Sequence, residues 1–135
     1  MVSAAVTAMD QSREMLDIAR TRAPRAGLVH SLFPPLPFRD DAFATLFTAN
    51  FYGLLRPDER VVFLAEARRV AGRLLVLDLR SDDDRHTERT EQRVVGGTGY
   101  PIFRRLFTPA NLVADLGGEL LYTGRYFLLL STELR

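Results

Sequence analysis

The chain contains no cysteine. That excludes a disulfide framework and any metal site built on thiolates. Histidine is almost missing too: His30 and His86 are the only two, far apart in sequence, which argues against a zinc site. No metal is expected. Neither sign of charge is in surplus, since 18 basic residues against 17 acidic ones leave a net charge of +1. A nucleic-acid or other polyanionic partner therefore finds no support. Long apolar runs are absent, and the longest, near residues 126–130, is too short to cross a membrane. No basic stretch with an apolar core opens the chain, so no signal peptide is expected and a cytosolic location is the default. Internal repeats and low-complexity segments are also missing. What remains is 135 residues, 47% of them apolar. That is enough for one domain over residues 1–135 with a core of its own.

The pattern along the chain predicts an α/β fold. Residues 4–9 have the apolar character of a short buried strand. Ser12 is a good N-cap, and Glu14 sits in the first turn, where the helix dipole favours it. Met15, Leu16, Ile18 and Ala19 offer an apolar stripe until Pro24 stops the helix. Gly27 turns the chain into a second strand over residues 28–30. Pro34, Pro35 and Pro37 then forbid regular structure. Phe43–Ala49 is strand-like. Pro57 and Asp58 open a second helix, with Val61, Phe63, Leu64, Ala67 and Val70 as its buried face and Gly72 as its end.

Residues 73–79 form a continuous apolar run with Asp78 near its close, as expected of a strand covered on both faces. Residues 81–92 are densely charged and read as a solvated loop or helix. Residues 94–107 read as an irregular excursion, with residues 96–99 as a flexible lid hinge. Thr108 and Pro109 cap a third helix through Leu116. A final antiparallel pair closes the chain at residues 119–122 and 126–132. Early alternation of strand and helix implies a parallel sheet, and the closing hairpin adds an antiparallel edge.

The most telling position is Asp10. It ends the first strand and a helix starts at once. In a nucleotide-binding α/β sheet a carboxylate there takes the two hydroxyls of a ribose, and a glycine-rich loop comes before it. Here only a few residues precede the strand, and the glycine loop is lacking.

Four stretches in this order resemble the class I S-adenosylmethionine (SAM)-dependent methyltransferases, in particular the small-molecule branch called type 11. They are Ala-Met-Asp-Gln-Ser-Arg-Glu-Met-Leu at 8–16 and Leu-Pro-Phe-Arg-Asp-Asp-Ala-Phe at 36–43. Further on come Glu-Ala-Arg-Arg-Val-Ala-Gly-Arg-Leu-Leu-Val-Leu-Asp at 66–78 and Phe-Thr-Pro-Ala-Asn-Leu at 107–112. The resemblance implies a Rossmann-like methyltransferase fold, a mostly parallel sheet with a C-terminal antiparallel hairpin, and methyl transfer from SAM to a small molecule.

It also makes Asp10 the ribose ligand and Gln11 a wall of the adenine slot. Ser31, with Leu32 beside it, stands where many members carry an Asp for the adenine amino group. Thr48 and Asn50 fall where the family lines the methionine end of the cofactor. Tyr52, Tyr100 and Phe103 are the candidate substrate contacts. The helix that often carries histidines has Gly53 and Leu54 instead, so no catalytic residue is assigned.

The chain departs from the family by lacking the first strand and helix, a piece of roughly 20–30 residues. Three expectations follow. SAM binding by this chain is weak. The strands on either side of the lost one have open edges, which favours a homodimer. The alternatives to an active enzyme are a non-catalytic remnant serving as a binding or dimerisation module, or a fragment of a longer protein. Each site residue also has a plainer reading. Asp10 can serve as a polar strand end beside Ser12, His30 as a structural histidine, residues 82–84 as solvated carboxylates, and the aromatics as packing.

Overall fold

Helix α1, Arg13–Arg22, begins where the sequence places its cap. Ser12 is extended and its Oγ accepts a hydrogen bond from Met15 N at 3.3 Å. Glu14 lies in the first turn and Arg20 and Arg22 in the last, each at the end of the helix dipole that favours its charge. The helix joins two short parallel strands, β1 (Thr7–Asp10) and β2 (Gly27–His30), with Asp10 level with His30. The computed structural model describes residues 5–83 and 87–135. The chain divides into two compact units, one ending at Pro37 and the other running from Phe38 to Arg135. In the first, the expected helix stripe is only partly realised. Leu16 is buried, whereas Met15 and Ile18 stay exposed.

The second unit is built on a four-stranded sheet in the order β3-β4-β8-β7. Strand β3 is Phe43–Ala49 and β4 is Ala71–Leu79, and the two are parallel. Strands β7 (Glu119–Thr123) and β8 (Phe127–Glu133) close the sheet antiparallel. Helix α2, Pro57–Val70, starts on Pro57 and runs straight into β4 at Ala71. Gly72, expected to stop that helix, is already inside the strand. Helix α3, Pro109–Leu116, is capped by Thr108 Oγ1, which accepts from Asn111 N at 3.2 Å.

Strand β4 was expected to be covered on both faces. Its Leu74, Val76 and Asp78 are fully buried, while Leu75, Leu77 and Leu79 on the opposite face are only partly so. The buried side faces α2, α3 and the 3₁₀ turn Tyr52–Leu54. Phe63 and Tyr52 meet edge to face at 6.2 Å, and Thr132 Oγ1 donates to Leu116 O at the end of α3. Phe63, Ala67 and Val70 carry the packing of α2; Val61, expected among them, is 71% exposed.

The largest departure from the sequence reading lies between β4 and α3. The charged stretch and the supposed excursion form one antiparallel hairpin, β5 (Glu88–Val95) with β6 (Thr98–Arg105). Gly96 and Gly97 are not a lid hinge. They have φ of +59° and +81° and form the two-residue turn between Val95 and Thr98, a conformation with positive φ at both centres that glycine adopts without steric cost. The charges hid the strand because they pair with one another: Arg104 Nε on β6 lies 3.2 Å from Glu91 on β5, and Arg89, on the same strand as Glu91, also bonds it. Ion pairs across and along the hairpin replace the apolar alternation by which a half-buried strand is usually recognised. Among the described residues no helix is long and apolar enough to cross a membrane.

Candidate functional site

The first unit gathers four of the predicted residues at the carboxyl ends of two paired strands. Asp10 closes β1, and its Oδ1 accepts from Ser12 N at 2.8 Å, which fixes the carboxylate against the start of α1. Ser31 N donates to Asp10 O at 3.1 Å, so Ser31 continues the ladder one step beyond β2. Ser31 Oγ donates to Leu32 O at 3.2 Å, and Leu32 is 70% exposed. Gln11 is exposed, and its carbonyl oxygen lies 2.9 Å from His30 Nε2. His30 thus ties the two strand ends together. Open α/β sheets bind ligands at such carboxyl ends.

The second unit places Thr48 and Asn50 at the end of β3. Thr48 Oγ1 is buried without a hydrogen-bond partner. Asn50 is exposed and left-handed, with φ of +56°, while its N–H donates to Leu77 O at 2.9 Å. Asparagine tolerates this conformation better than other side chains, and here it turns the chain at the end of β3.

Tyr52 is 2% exposed, and its hydroxyl donates to Asp115 Oδ2 at 3.4 Å. Burial, reinforced by the Asp115 carboxylate, pushes its phenol up to about 12, against the opposing pull of Arg60 and Arg105. The ring therefore belongs to the core of the unit. Tyr100 is exposed on β6 opposite Arg93, and Phe103 lies beneath the Arg56 guanidinium at 5.1 Å. Three positions apart on one strand, Tyr100 and Phe103 point to opposite faces of the hairpin.

A buried polar network escaped the sequence reading. Asp78 is wholly buried, and its two oxygens accept from Gly53 N at 2.8 Å and Leu79 N at 2.9 Å. Burial raises its carboxyl above the usual range, although both N–H donors and the Arg104 charge act the other way. Gly53 has no room for a side chain: a Cβ there would lie 2.5 Å from Arg105 O and 2.7 Å from Asp78 Oδ1. Beside this clamp, Arg105 grips Asp115 with two bonds of 2.7 and 3.2 Å. Arg60 stands 4.0 Å from the same carboxylate. The one visible signal was a lone carboxylate in the apolar run 73–79. Its partners come from distant segments that spacing does not connect.

Asp82 is exposed, while Asp84 and His86 lie outside the described residues. Among the described residues no group of three candidate ligands could hold a metal ion.

A family model described as a methyltransferase domain matches residues 1–72. The chain belongs to this methyltransferase family. No curated protein matches it. Among solved structures it is similar to DhpI in complex with SAM and HEP, with a TM-score of 0.77 at 22% identity, covering 94% of this chain and 67% of DhpI. DhpI with S-adenosylhomocysteine (SAH) gives 0.74 at 24% identity, covering 94% of this chain and 64% of DhpI. The Burkholderia thailandensis 1,6-didemethyltoxoflavin-N1-methyltransferase, with 1,6-didemethyltoxoflavin and SAH bound, gives 0.64 at 17% identity, covering 95% of this chain and 60% of that enzyme. At these identities the likeness is one of fold, the Rossmann-like fold of this methyltransferase family. The chain spans about two thirds of the length of these neighbours.

Proposed function

We propose that this methyltransferase domain binds SAM and transfers its methyl group to a small molecule. The observation that carries the reading is the strand-end arrangement of the first unit, in which Asp10 is fixed by Ser12 N at 2.8 Å beside Ser31 and Leu32. These residues fit a nucleoside. A carboxylate offers about four lone-pair positions. Ser12 takes one, so Asp10 keeps acceptor capacity for paired ribose hydroxyls. Leu32 offers an apolar surface to a base, and Ser31 a hydroxyl beside it. In the second unit, the unpaired Thr48 Oγ1 and the left-handed Asn50 supply polar groups at a strand end.

SAM supplies the electrophilic methyl carbon when bound. The chain's own residues align and exclude water, which suffices for a transfer that needs little acid–base work. Asp10 orients the nucleoside through its ribose, and Gln11 and Leu32 flank the base. Tyr52 takes no proton from the acceptor at neutral pH, because its buried phenol stays protonated and bonded to Asp115. Tyr100, exposed on β6, is the acceptor contact in this reading. The small-molecule class rests on the neighbours, one crystallised with HEP and another with 1,6-didemethyltoxoflavin.

Titration calorimetry with SAH tests the reading. The expected result is weak binding, with a Kd of about 100 µM or above, corresponding to roughly −5 kcal/mol. Asp10→Ala should weaken it at least about tenfold, the loss of one charge-assisted hydrogen-bond acceptor. Asp82→Ala, at an exposed carboxylate, should leave it unchanged. No heat up to about 5 mM SAH, or binding indifferent to Asp10→Ala, would refute the cofactor assignment. It would leave the domain as a non-catalytic binding module.

A further inference from the structure

The two faces of the β5–β6 hairpin differ in charge. Residues directly paired across an antiparallel ladder lie on the same side, and alternate residues share it. The register sets Arg89 opposite Arg104, Glu91 opposite Ile102 and Arg93 opposite Tyr100. One face therefore carries three arginines, one carboxylate, an aromatic ring and an aliphatic side chain. The other carries Phe103 and the pair Glu88 and Arg105, whose charges cancel. In a chain with a net charge of only +1, the first face holds a surplus of two positive charges. Like charges directly opposite one another destabilise a ladder, and Arg89 and Arg104 stand so, both leaning on Glu91.

Arg104 is the group that Glu91 does not complete. Its side chain is 9% exposed. Nε lies 3.2 Å from Glu91 Oε2, and the same carboxylate accepts from Arg89 Nε at 2.6 Å. Nη1 is buried and has no hydrogen-bond partner among the described residues. Buried Asp78, whose carboxyl feels the Arg104 charge, gives its oxygens to Gly53 N and Leu79 N instead. A guanidinium is a planar fork of five N–H donors suited to bidentate oxyanions. One that is buried and shares a single carboxylate through Nε leaves part of its desolvation uncompensated, and such a group calls for a partner. Glu91 is 32% exposed, so it is free to turn into solvent.

We propose that this face binds an oxyanion group of the methyl acceptor, carboxylate or phosphoryl, with Arg104 as its principal contact and Glu91 as a built-in competitor that yields to it. The apolar body of the acceptor lies against Tyr100, 53% exposed, and half-buried Ile102 on the same face. Arg93, exposed toward the hairpin turn, raises the local concentration of anions without having to touch them. The acceptor role rests on the methyltransferase reading, in which Tyr100 is the acceptor contact. The oxyanion site itself lies wholly on one hairpin and uses neither Asp10 nor SAM.

Titration of the full chain with benzoate and, separately, with inorganic phosphate tests it, followed by the NMR shifts of the hairpin amides in about 0.1 M sodium chloride. Benzoate joins a carboxylate to an apolar ring, and phosphate presents the phosphoryl oxygens alone. At least one should bind saturably with a Kd of about 1–10 mM, moving the amides of residues 89–93 and 100–104. Binding of benzoate only marks the carboxylate as the group recognised, and binding of phosphate only marks the phosphoryl group. Arg104→Gln should weaken binding at least about tenfold, the loss of a charge-assisted contact. Glu91→Gln should tighten it about threefold or more, because the competing charge is gone. Glu91 is partly exposed, so this variant decides the matter if Arg104→Gln fails to fold. Arg125→Gln, at an exposed turn between β7 and β8, should leave the Kd unchanged. No binding of either anion up to about 100 mM, indifference to Arg104→Gln, an equal loss with Arg125→Gln, or weaker binding by Glu91→Gln would each overturn the proposal. SAH binding without anion binding would leave the cofactor assignment standing and remove this site. Anion binding without SAH binding would keep the site and overturn its part in methyl transfer.

Discussion

An alanine at position 53 would put its Cβ 2.5 Å from the Arg105 carbonyl oxygen and 2.7 Å from Asp78 Oδ1. Gly53 is not among the residues with positive φ, so the backbone conformation itself tolerates a side chain and the clash alone decides the outcome. The neighbours have little freedom. One is a backbone carbonyl at the end of β6, and the other is a wholly buried carboxylate on a central strand. Overpacking of this kind costs about 1–3 kcal/mol. The shift needed to relieve it also breaks the 2.8 Å bond from Gly53 N to Asp78 Oδ2. That leaves a buried carboxylate with one backbone donor fewer, which costs about 1–3 kcal/mol more. Because the two costs share a cause, Gly53→Ala should lose about 2–5 kcal/mol in all.

The assay is urea unfolding followed by tyrosine fluorescence. All four tyrosines lie between residues 52 and 126, and the chain has no tryptophan, so the signal reports on the second unit. Gly72→Ala is the control. Its Cβ would meet only Ala44 O, at an ordinary 3.6 Å, and the stability should stay within about 1 kcal/mol. Asp78→Asn closes a cycle. With Asp78 already altered, Gly53→Ala should cost at least about 1 kcal/mol less, because residues in contact are not additive. A Gly53→Ala variant within about 0.5 kcal/mol of the parent would refute the clamp, as would full additivity with Asp78→Asn.

Three further outcomes are expected beside the SAH titration. The Tyr52 phenol, raised from 10.0 to about 12, holds its proton after the unfolded chain has lost it. Its contribution is therefore complete below pH 10 and disappears as pH climbs to 12, by up to about 2 kcal/mol. Tyr52→Phe should flatten urea midpoints across that window, and equal slopes in variant and parent would count against the buried phenol. Phe63, 1% exposed and in ring contact with Phe51 and Tyr52, should lose about 3–5 kcal/mol on truncation to alanine. Val61→Ala, at a site 71% exposed, should change the same midpoint by no more than about 0.5 kcal/mol.

The elements that one local rule specifies were legible in the residues. Ser12 and Pro24 bracket α1, Thr108 with Pro109 opens α3, and the uncharged alternation at 43–49 is β3 as read. Caps, prolines and periodicity act within a few positions, so a chain read in order displays them. The gathering of Asp10, Gln11, Ser31 and Leu32 was legible for a related reason, since a strand–helix–strand unit brings successive strand ends together.

Partners chosen across long separations were not legible. Val61 looked as apolar as Phe63, yet helix rotation against the sheet buries one and exposes the other. The β5–β6 hairpin looked like a solvated loop because Glu91 satisfies Arg104 across the strands and Arg89 along its own, a pairing invisible to a hydropathy pattern. Tyr52 read as a candidate substrate contact with packing as the plainer alternative, and Asp115, Phe63 and Phe107 close around it from three other segments. Asp78 was a single polar letter in an apolar run until the fold brought Gly53 to its carboxylate. The sequence by itself determined where the helices begin and where the strands outside the β5–β6 hairpin lie, because those signals are local free-energy preferences. Only the tertiary structure decided which polar groups are buried together, because that depends on contacts the chain makes after it has closed on itself.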